Sequence, residues 1–178
     1  PVVVSLPDTV RLRSEEMVSA NCFLGIEEKQ GTDRKYFILQ GLLILEHKSM
    51  TQKRGYQLHL SRGDSVLKEV EGRTKKFEKI SSVLRDFHPA IQSLVCLDVG
   101  SSSGIITSLL GTHFSHAIGM DIDREAVSYA KDHFSSSRVT FLIGDSLALP
   151  FLDGSIDVII CNHIYEHVPQ PGKLMEEV

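Results

Sequence analysis

The chain has 178 residues, of which 42% are hydrophobic, enough for the core of one domain or a little more. A formal net charge of −4 gives no global reason to expect nucleic acid as a partner. The longest apolar run, 36–45, is too short for a membrane span and is interrupted by Gln40 and Gly41; no signal peptide is apparent. The first residue is Pro1 rather than Met, which predicts a start after processing or inside a longer chain.

The charge is uneven. Residues 1–90 hold 15 Lys/Arg and 12 Asp/Glu, whereas 91–178 hold 4 and 11. Much of the later acidity falls near predicted strand ends, which suits a cationic cofactor; a solvated acidic face is the plainer alternative. Cys22, Cys96 and Cys161 are widely spaced, and the last two lie in apolar runs where free cysteine acts as a small hydrophobe. Neither a disulfide framework nor a zinc site is expected, and a reducing, cytoplasmic setting is.

In chain order, residues 1–72 read as an N-terminal extension, a lid or a partner-contact segment. Within it, 14–24 suggests a short helix and 33–48 either a helix or two strands around Gly41. The stretch 51–64, with Lys53, Arg54, Gly55, Arg62 and Gly63, reads as loop. Residues 73–88 predict an amphipathic helix with Phe77, Ile80, Val83, Leu84 and Phe87 on one face, stopped by Pro89.

From residue 91 strands and helices alternate. Strands are predicted at 93–99, 116–121, 138–143 and 156–162, with helices at 104–111, 124–134 and from Pro171 onward. Ala126, Val127, Ala130 and Phe134 supply the apolar spacing of the second helix. Together these predict an α/β fold, a Rossmann-like doubly wound parallel sheet, over 73–178. Stopping after the fourth strand should leave an open sheet edge, so an oligomer contact or a further C-terminal segment is expected to cover it.

The chemistry gathers at the carboxyl ends of these strands. The run Leu97-Asp98-Val99-Gly100-Ser101-Ser102-Ser103-Gly104 leaves a strand, turns tightly and enters a helix. Its glycines follow neither the G-x-G-x-x-G pattern that cradles a pyrophosphate nor G-x-x-x-G-x-G. About twenty residues on, the second strand ends in Met120-Asp121-Ile122-Asp123. An acid at this tip commonly accepts from ribose hydroxyls, and Asp123 is the better candidate for capping the helix that follows. The third strand ends in Gly144-Asp145-Ser146-Leu147, where Asp145 meets an adenine amine or forms an ordinary Gly-Asp turn. The fourth ends in Asn162-His163-Ile164-Tyr165-Glu166-His167. His163 and His167 are each candidates for a general base. Were this segment helical, the two histidines, at i and i+4, would alternatively share a metal ion.

Four segments in this order, LDVGSSSG, HAIGMDID, VTFLIGDSLALPF and SIDVIICNHIYEHV, resemble the class I S-adenosylmethionine-dependent methyltransferases. The resemblance spans about 75–178. It implies that Asp98, Gly100, Ser102 and Gly104 lie against the methionine and ribose of S-adenosyl-L-methionine. It likewise places Asp121 on the ribose diol and Asp145 at the adenine, with Ile122, Ser146 and Asn162 completing the cofactor wall. NHIYEHVPQP is similar to members that methylate small molecules or lipid-like quinone precursors, which implies such an acceptor and transfer to oxygen. No metal is implied. Two departures stand out: the family's usual middle glycine is Ser102 here, and the later strands are absent. Competing readings are a catalytically silent binding module and a nucleotide-dependent oxidoreductase.

Overall fold

A computed structural model of the chain describes residues 6–13, 36–40, 69–87 and 90–178, with 36–40 described by its backbone alone. The features expected at 14–24, 41–48 and 51–64 lie outside the described residues. Five parallel strands form one sheet: β1 (Tyr36–Gln40), β2 (Val95–Val99), β3 (His116–Asp121), β4 (Val139–Ile143) and β5 (Val158–Asn162). Their spatial order is β1-β5-β2-β3-β4. The helices are α1 (Val70–Phe87), α2 (Ile105–Leu110), α3 (Arg124–Phe134) and α4 (Pro171–Glu177), with single 3-10 turns at Ile91–Ser93 and Tyr165–His167.

The sheet is buried on both faces, which is why β2 is buried at every position and reads as a continuous apolar run rather than an alternation. Side chains still alternate. Val95, Leu97 and Val99 join Ile118, Met120, Leu142, Ile159 and Cys161 on one face, covered by Leu6, Val10, Leu149, Phe151 and Leu174. Cys96, Ala117, Val158 and Ile160 join Phe77, Ile80 and Leu84 of α1 and Ile106 and Leu110 of α2 on the other. The thiols of Cys96 and Cys161 are free and buried, and burial pushes the Cys161 thiol up to about 12, so both behave as apolar side chains.

The edge of β5 is occupied. β1 pairs along it in parallel from Tyr36↔Val158 to Gln40↔Asn162. Of the two alternatives for 33–48, the described part is a strand. Residues 6–13 also reach the body of the domain: Leu12 bridges Phe151, and Arg13 pairs with Asp153 at 3.3 Å and Glu177 at 3.0 Å.

In α1 the buried face is not quite the expected one. Phe77, Ile80 and Leu84 are buried, but Val83 is 41% exposed. Ser81 takes its place inside, its hydroxyl 3.3 Å from His113 Nε2. The reason is geometric: 77, 80, 81 and 84 form one stripe of a 3.6-residue helix, and 83 points away from it.

Order along the sheet determines where a ligand fits. From β2 the chain winds outward through β3 to β4, then returns to the other side of β2 as β5. Connections leaving β2 and β5 therefore diverge, opening a crevice at the carboxyl ends of those strands. Gly104, at the amino end of α2, holds φ 81°, and a Cβ there would lie 2.7 Å from both Ala130 Cβ and Phe141.

Gly104→Ala should therefore cost about 2 kcal/mol or more, from backbone strain and overpacking together. Gly172, in α4, has nothing within 4 Å of where a Cβ would stand. Gly172→Ala should be neutral or stabilising by up to about 1 kcal/mol. Urea midpoints of the two variants should move in opposite directions or only the first should move.

Candidate active site

The crevice is a cavity of about 400 Å³, within the usual range for small-molecule sites. Its floor is the turn after β2. Gly100 N and Ser101 N both donate to Met120 O, at 2.8 and 3.1 Å, and Ser102 N donates to Asp121 Oδ2 at 2.7 Å. To aim three successive amides at the end of β3, the turn takes positive φ at Gly100 (79°) and Ser102 (49°). Asp98, Gly100, Ser101 and Ser102 all line the cavity.

Asp98 sits on the face of β2 that meets α2, 3% exposed, where its Oδ2 accepts from Thr107 Oγ1 at 2.6 Å. Burial raises its carboxyl to about 6, a shift that the Thr107 hydroxyl and the charge of Arg73 oppose and the charge of Asp121 reinforces. Asp121 closes β3. Its second oxygen, Oδ1, accepts from Asp123 N at 2.9 Å, and burial also lifts its carboxyl above the usual range. The Ile122 backbone N–H also donates to this carboxylate, and Asp121 lines the cavity. Asp123 caps α3, accepting from Glu125 N and Ala126 N.

Ile122, Met120, Gly144 and Ser146 form the wall beyond Asp121, and Asn162, His163, Ile164, His167 and Val168 form the wall opposite. Asn162 Oδ1 and Ser101 Oγ are buried with no hydrogen-bond partner. Unsatisfied buried acceptors and donors in the wall of a cavity mark where a polar ligand completes the bonding. Two predicted residues lie elsewhere. Asp145 is not in the cavity wall; its Oδ1 accepts from Leu147 N at 2.8 Å, the Gly-Asp turn considered from sequence. Gly104 is also outside the wall and serves the contact between α2, α3 and β4.

After β5 the backbone turns sharply, with His163 at φ 56°. His163 and His167 do not share a helical face, because only 165–167 form a turn. Both instead face Glu166: His163 Nδ1 lies 3.2 Å from Glu166 Oε1 and His167 Nε2 3.9 Å from the same oxygen. Burial works against the Glu166 carboxylate, but a backbone N–H, the His163 hydrogen bond and the charge of His167 together hold it below its ordinary range. His163 donating from Nδ1 leaves Nε2 as a proton acceptor. His167 Nδ1 is buried without a partner in the cavity wall.

Sequence reasoning missed Arg73 and Lys76. Both come from α1 and line the cavity from above the turn. Their signal in the sequence was only a helix with cations three residues apart, which is common on solvated faces.

Residues 97–178 match a family model described as a methyltransferase domain. An uncharacterized methyltransferase of Mycobacteroides abscessus is 34% identical over 92 residues, covering 50% of this chain and 36% of that protein. The ubiquinone biosynthesis O-methyltransferase of Paraburkholderia xenovorans is 30% identical over 95 residues, 51% of this chain and 40% of that one. Its counterpart from Methylococcus capsulatus is 26% identical over 111 residues, 59% and 47%. The chain thus spans from about a third to under half the length of these curated relatives. Among solved structures, the PH0226 protein of Pyrococcus horikoshii superposes with a TM-score of 0.54 at 22% identity, over 64% of this chain and 55% of that one. A chain of the complex between the Haloferax volcanii Trm112 methyltransferase activator and its methyltransferase does so at 0.53 and 22%, over 65% and 51%. At that identity the two structures speak for the Rossmann-like fold alone.

The buried acids make stability depend on pH. Below pH 3.8 Asp98 is protonated in both states; as pH rises the unfolded chain loses that proton while the folded chain keeps it to about 6. Stability should therefore fall between about pH 4 and pH 6 and then level off, by about 3 kcal/mol for this group. Asp121 adds a contribution of the same sign. Denaturant melts of Asp98→Asn across this range should show a clearly shallower fall than the parent.

Proposed function

We propose that this chain, whose residues 97–178 match a methyltransferase domain, binds S-adenosyl-L-methionine in the crevice and methylates an oxygen of a small or lipid-like acceptor. The observation that carries the reading is the joining of Asp121 to the β2 turn through Ser102 N, with Asp98 behind them and the unpartnered Asn162 Oδ1 across the cavity. Relatives named ubiquinone biosynthesis O-methyltransferase support the acceptor class and the oxygen.

On this reading Asp121 accepts from the ribose hydroxyls and Ile122 packs on the adenine. Ser146 and Asn162 supply polar edges, and Asp98 faces the ammonium of the amino-acid portion. Gly100 gives the ligand room, since a Cβ there would already meet Ile164 at 3.0 Å. Asp145, outside the wall, reaches an adenine only through the turn it shapes. The cofactor supplies a sulfonium-bound methyl that is electrophilic without further activation, so the protein has two tasks. The first is alignment, for which positioning contributes roughly 7–11 kcal/mol in well-ordered sites. The second is removal of the acceptor's proton. His163, oriented by Glu166, or His167, its Nδ1 in the wall, takes that proton at the mouth of the crevice. The two buried free cysteines fit a reducing, cytoplasmic location.

Asp121→Ala should weaken S-adenosylmethionine binding at least about tenfold, measured by titration calorimetry, while leaving the fold intact. An unchanged affinity would remove the ribose assignment; no binding by the parent protein would favour a silent module. His163→Ala and His167→Ala should separate the bases. Label transfer from methyl-labelled cofactor should drop about 10²–10⁴-fold in whichever lacks the base, with cofactor affinity within about twofold in both.

A further inference from the structure

In that reading most cofactor contacts fall on one side of the crevice. Asp98 and Gly100 come from β2 and its turn, Asp121 and Ile122 from the end of β3, and Ser146 from the turn after β4. The other wall belongs to the end of β5 and carries both candidate bases, His163 and His167, so the acceptor has to enter there. The strand next to β5 on that side is β1, which has no part in the reading so far.

β1 ends level with the crevice. All five strands are parallel, so their carboxyl ends share one edge of the sheet, the edge at which open α/β sheets take their ligands. Gln40, the last residue of β1, is paired with Asn162, the last residue of β5. Neighbouring strands lie about 4.8 Å apart, so position 40 stands one strand spacing from a wall residue whose Oδ1 is buried without a partner. The two sequences run alike, Tyr-Phe-Ile-Leu-Gln beside Val-Ile-Ile-Cys-Asn, each a largely apolar run that closes on a carboxamide. β3 closes on Asp121 in the same manner. A polar residue at this edge, after a buried run, is where a strand meets a ligand.

We infer that the carboxyl end of β1 forms the acceptor side of the crevice, with Gln40 as the residue that selects the acceptor. The inference rests on the methyltransferase reading above. A carboxamide offers both donors and an acceptor and carries no charge, so it suits a neutral hydroxyl or carbonyl close to the oxygen that is methylated. In the transfer itself that oxygen bonds to the methyl carbon as the carbon–sulfur bond breaks, the sulfonium becomes a thioether, and the oxygen's proton passes to His163 or His167. Gln40 takes no part in this exchange; it decides which molecule undergoes it. The amino-terminal part of the chain thereby supplies selectivity to a cofactor site built by residues 97–178.

The test places a removable plug at position 40. Gln40→Cys is made in the full chain together with Cys22→Ser, which leaves only the buried Cys96 and Cys161 besides the new thiol. Benzyl methanethiosulfonate then attaches a benzylthio group that a thiol reductant removes. Two quantities are read: label transfer from methyl-labelled S-adenosylmethionine into a total lipid extract, and calorimetric affinity for S-adenosylhomocysteine. The plugged form should bind S-adenosylhomocysteine within about twofold of the parent yet lose about tenfold or more of the transfer, with reductant restoring it. Gln40→Ala should raise the amount of extract needed for half-maximal transfer by about two- to tenfold, with the maximal rate within about twofold. Weakened S-adenosylhomocysteine binding in the plugged form would put β1 on the cofactor's side and overturn the inference. Transfer unmoved by the plug would also overturn it, leaving the methyltransferase reading standing. A plug that blocks transfer while Gln40→Ala changes nothing would refute Gln40 as the selecting residue. A parent that binds no S-adenosylhomocysteine, or binds it and labels nothing, would remove the methyltransferase reading and the inference together.

Discussion

Three amides of one turn, aimed at the last two residues of the neighbouring strand, hold this site together. Gly100, Ser101 and Ser102 cannot all point at Met120 and Asp121 unless the backbone leaves the ordinary right-handed and extended regions. That requirement explains the positive φ values, and it ties the ends of β2 and β3 so that neither acid can swing away. It also brings α2 close enough for Thr107 to reach Asp98. Gly119 makes room for that approach, since a Cβ there would meet Phe141 at 2.6 Å and Thr107 Oγ1 at 2.9 Å. Rigid alignment of the two acids is the form of pre-organisation that a binding site needs.

Electrostatically the site is poised between signs. Buried carboxylates at Asp98 and Asp121 are held at some cost, as their raised pKa values show. Such a cost is tolerated where a bound positive charge or a hydroxyl pair repays it. The cations of α1 face the same space, so the cavity offers separate places for an anionic and a cationic group rather than a uniform field. A neutral or purely anionic ligand would leave part of this arrangement unused.

Much of the sheet was legible in the sequence, and for a physical reason. β3 and α3 begin and end where expected because their boundaries are local events: a run of buried residues closing on Asp121, and a cap supplied by Asp123. Contacts between distant residues were not legible. Nothing near Tyr36 announces that it will lie beside Val158, and nothing near Arg73 announces Ser102. At Asp145 the sequence left a ligand contact and a Gly-Asp turn both open; its Oδ1 accepts from Leu147 N, as short acidic side chains in turns commonly arrange. Helix geometry puts Val83 off the buried stripe, but that Ser81 fills the inner position against His113 is a long-range contact that periodicity does not name.

The clasp between residues 6–13 and the distal part of the domain bears on how the molecule is assembled. Leu12 pairs with Phe151, Ser155 Oγ contacts Arg11 O, and Arg13 reaches Glu177 across a separation of 164 positions. A ribosome releases the first of these partners long before the second exists. Until then Leu6 and Val10 have no core to enter, and their apolar surface must wait in solvent or with a chaperone. Closure of so long a loop is slow, and native contacts of this span lower folding rates in general. Residues 6–13 can therefore complete this clasp only after the chain has been built as far as Glu177, so their docking depends on the far side of the domain being in place.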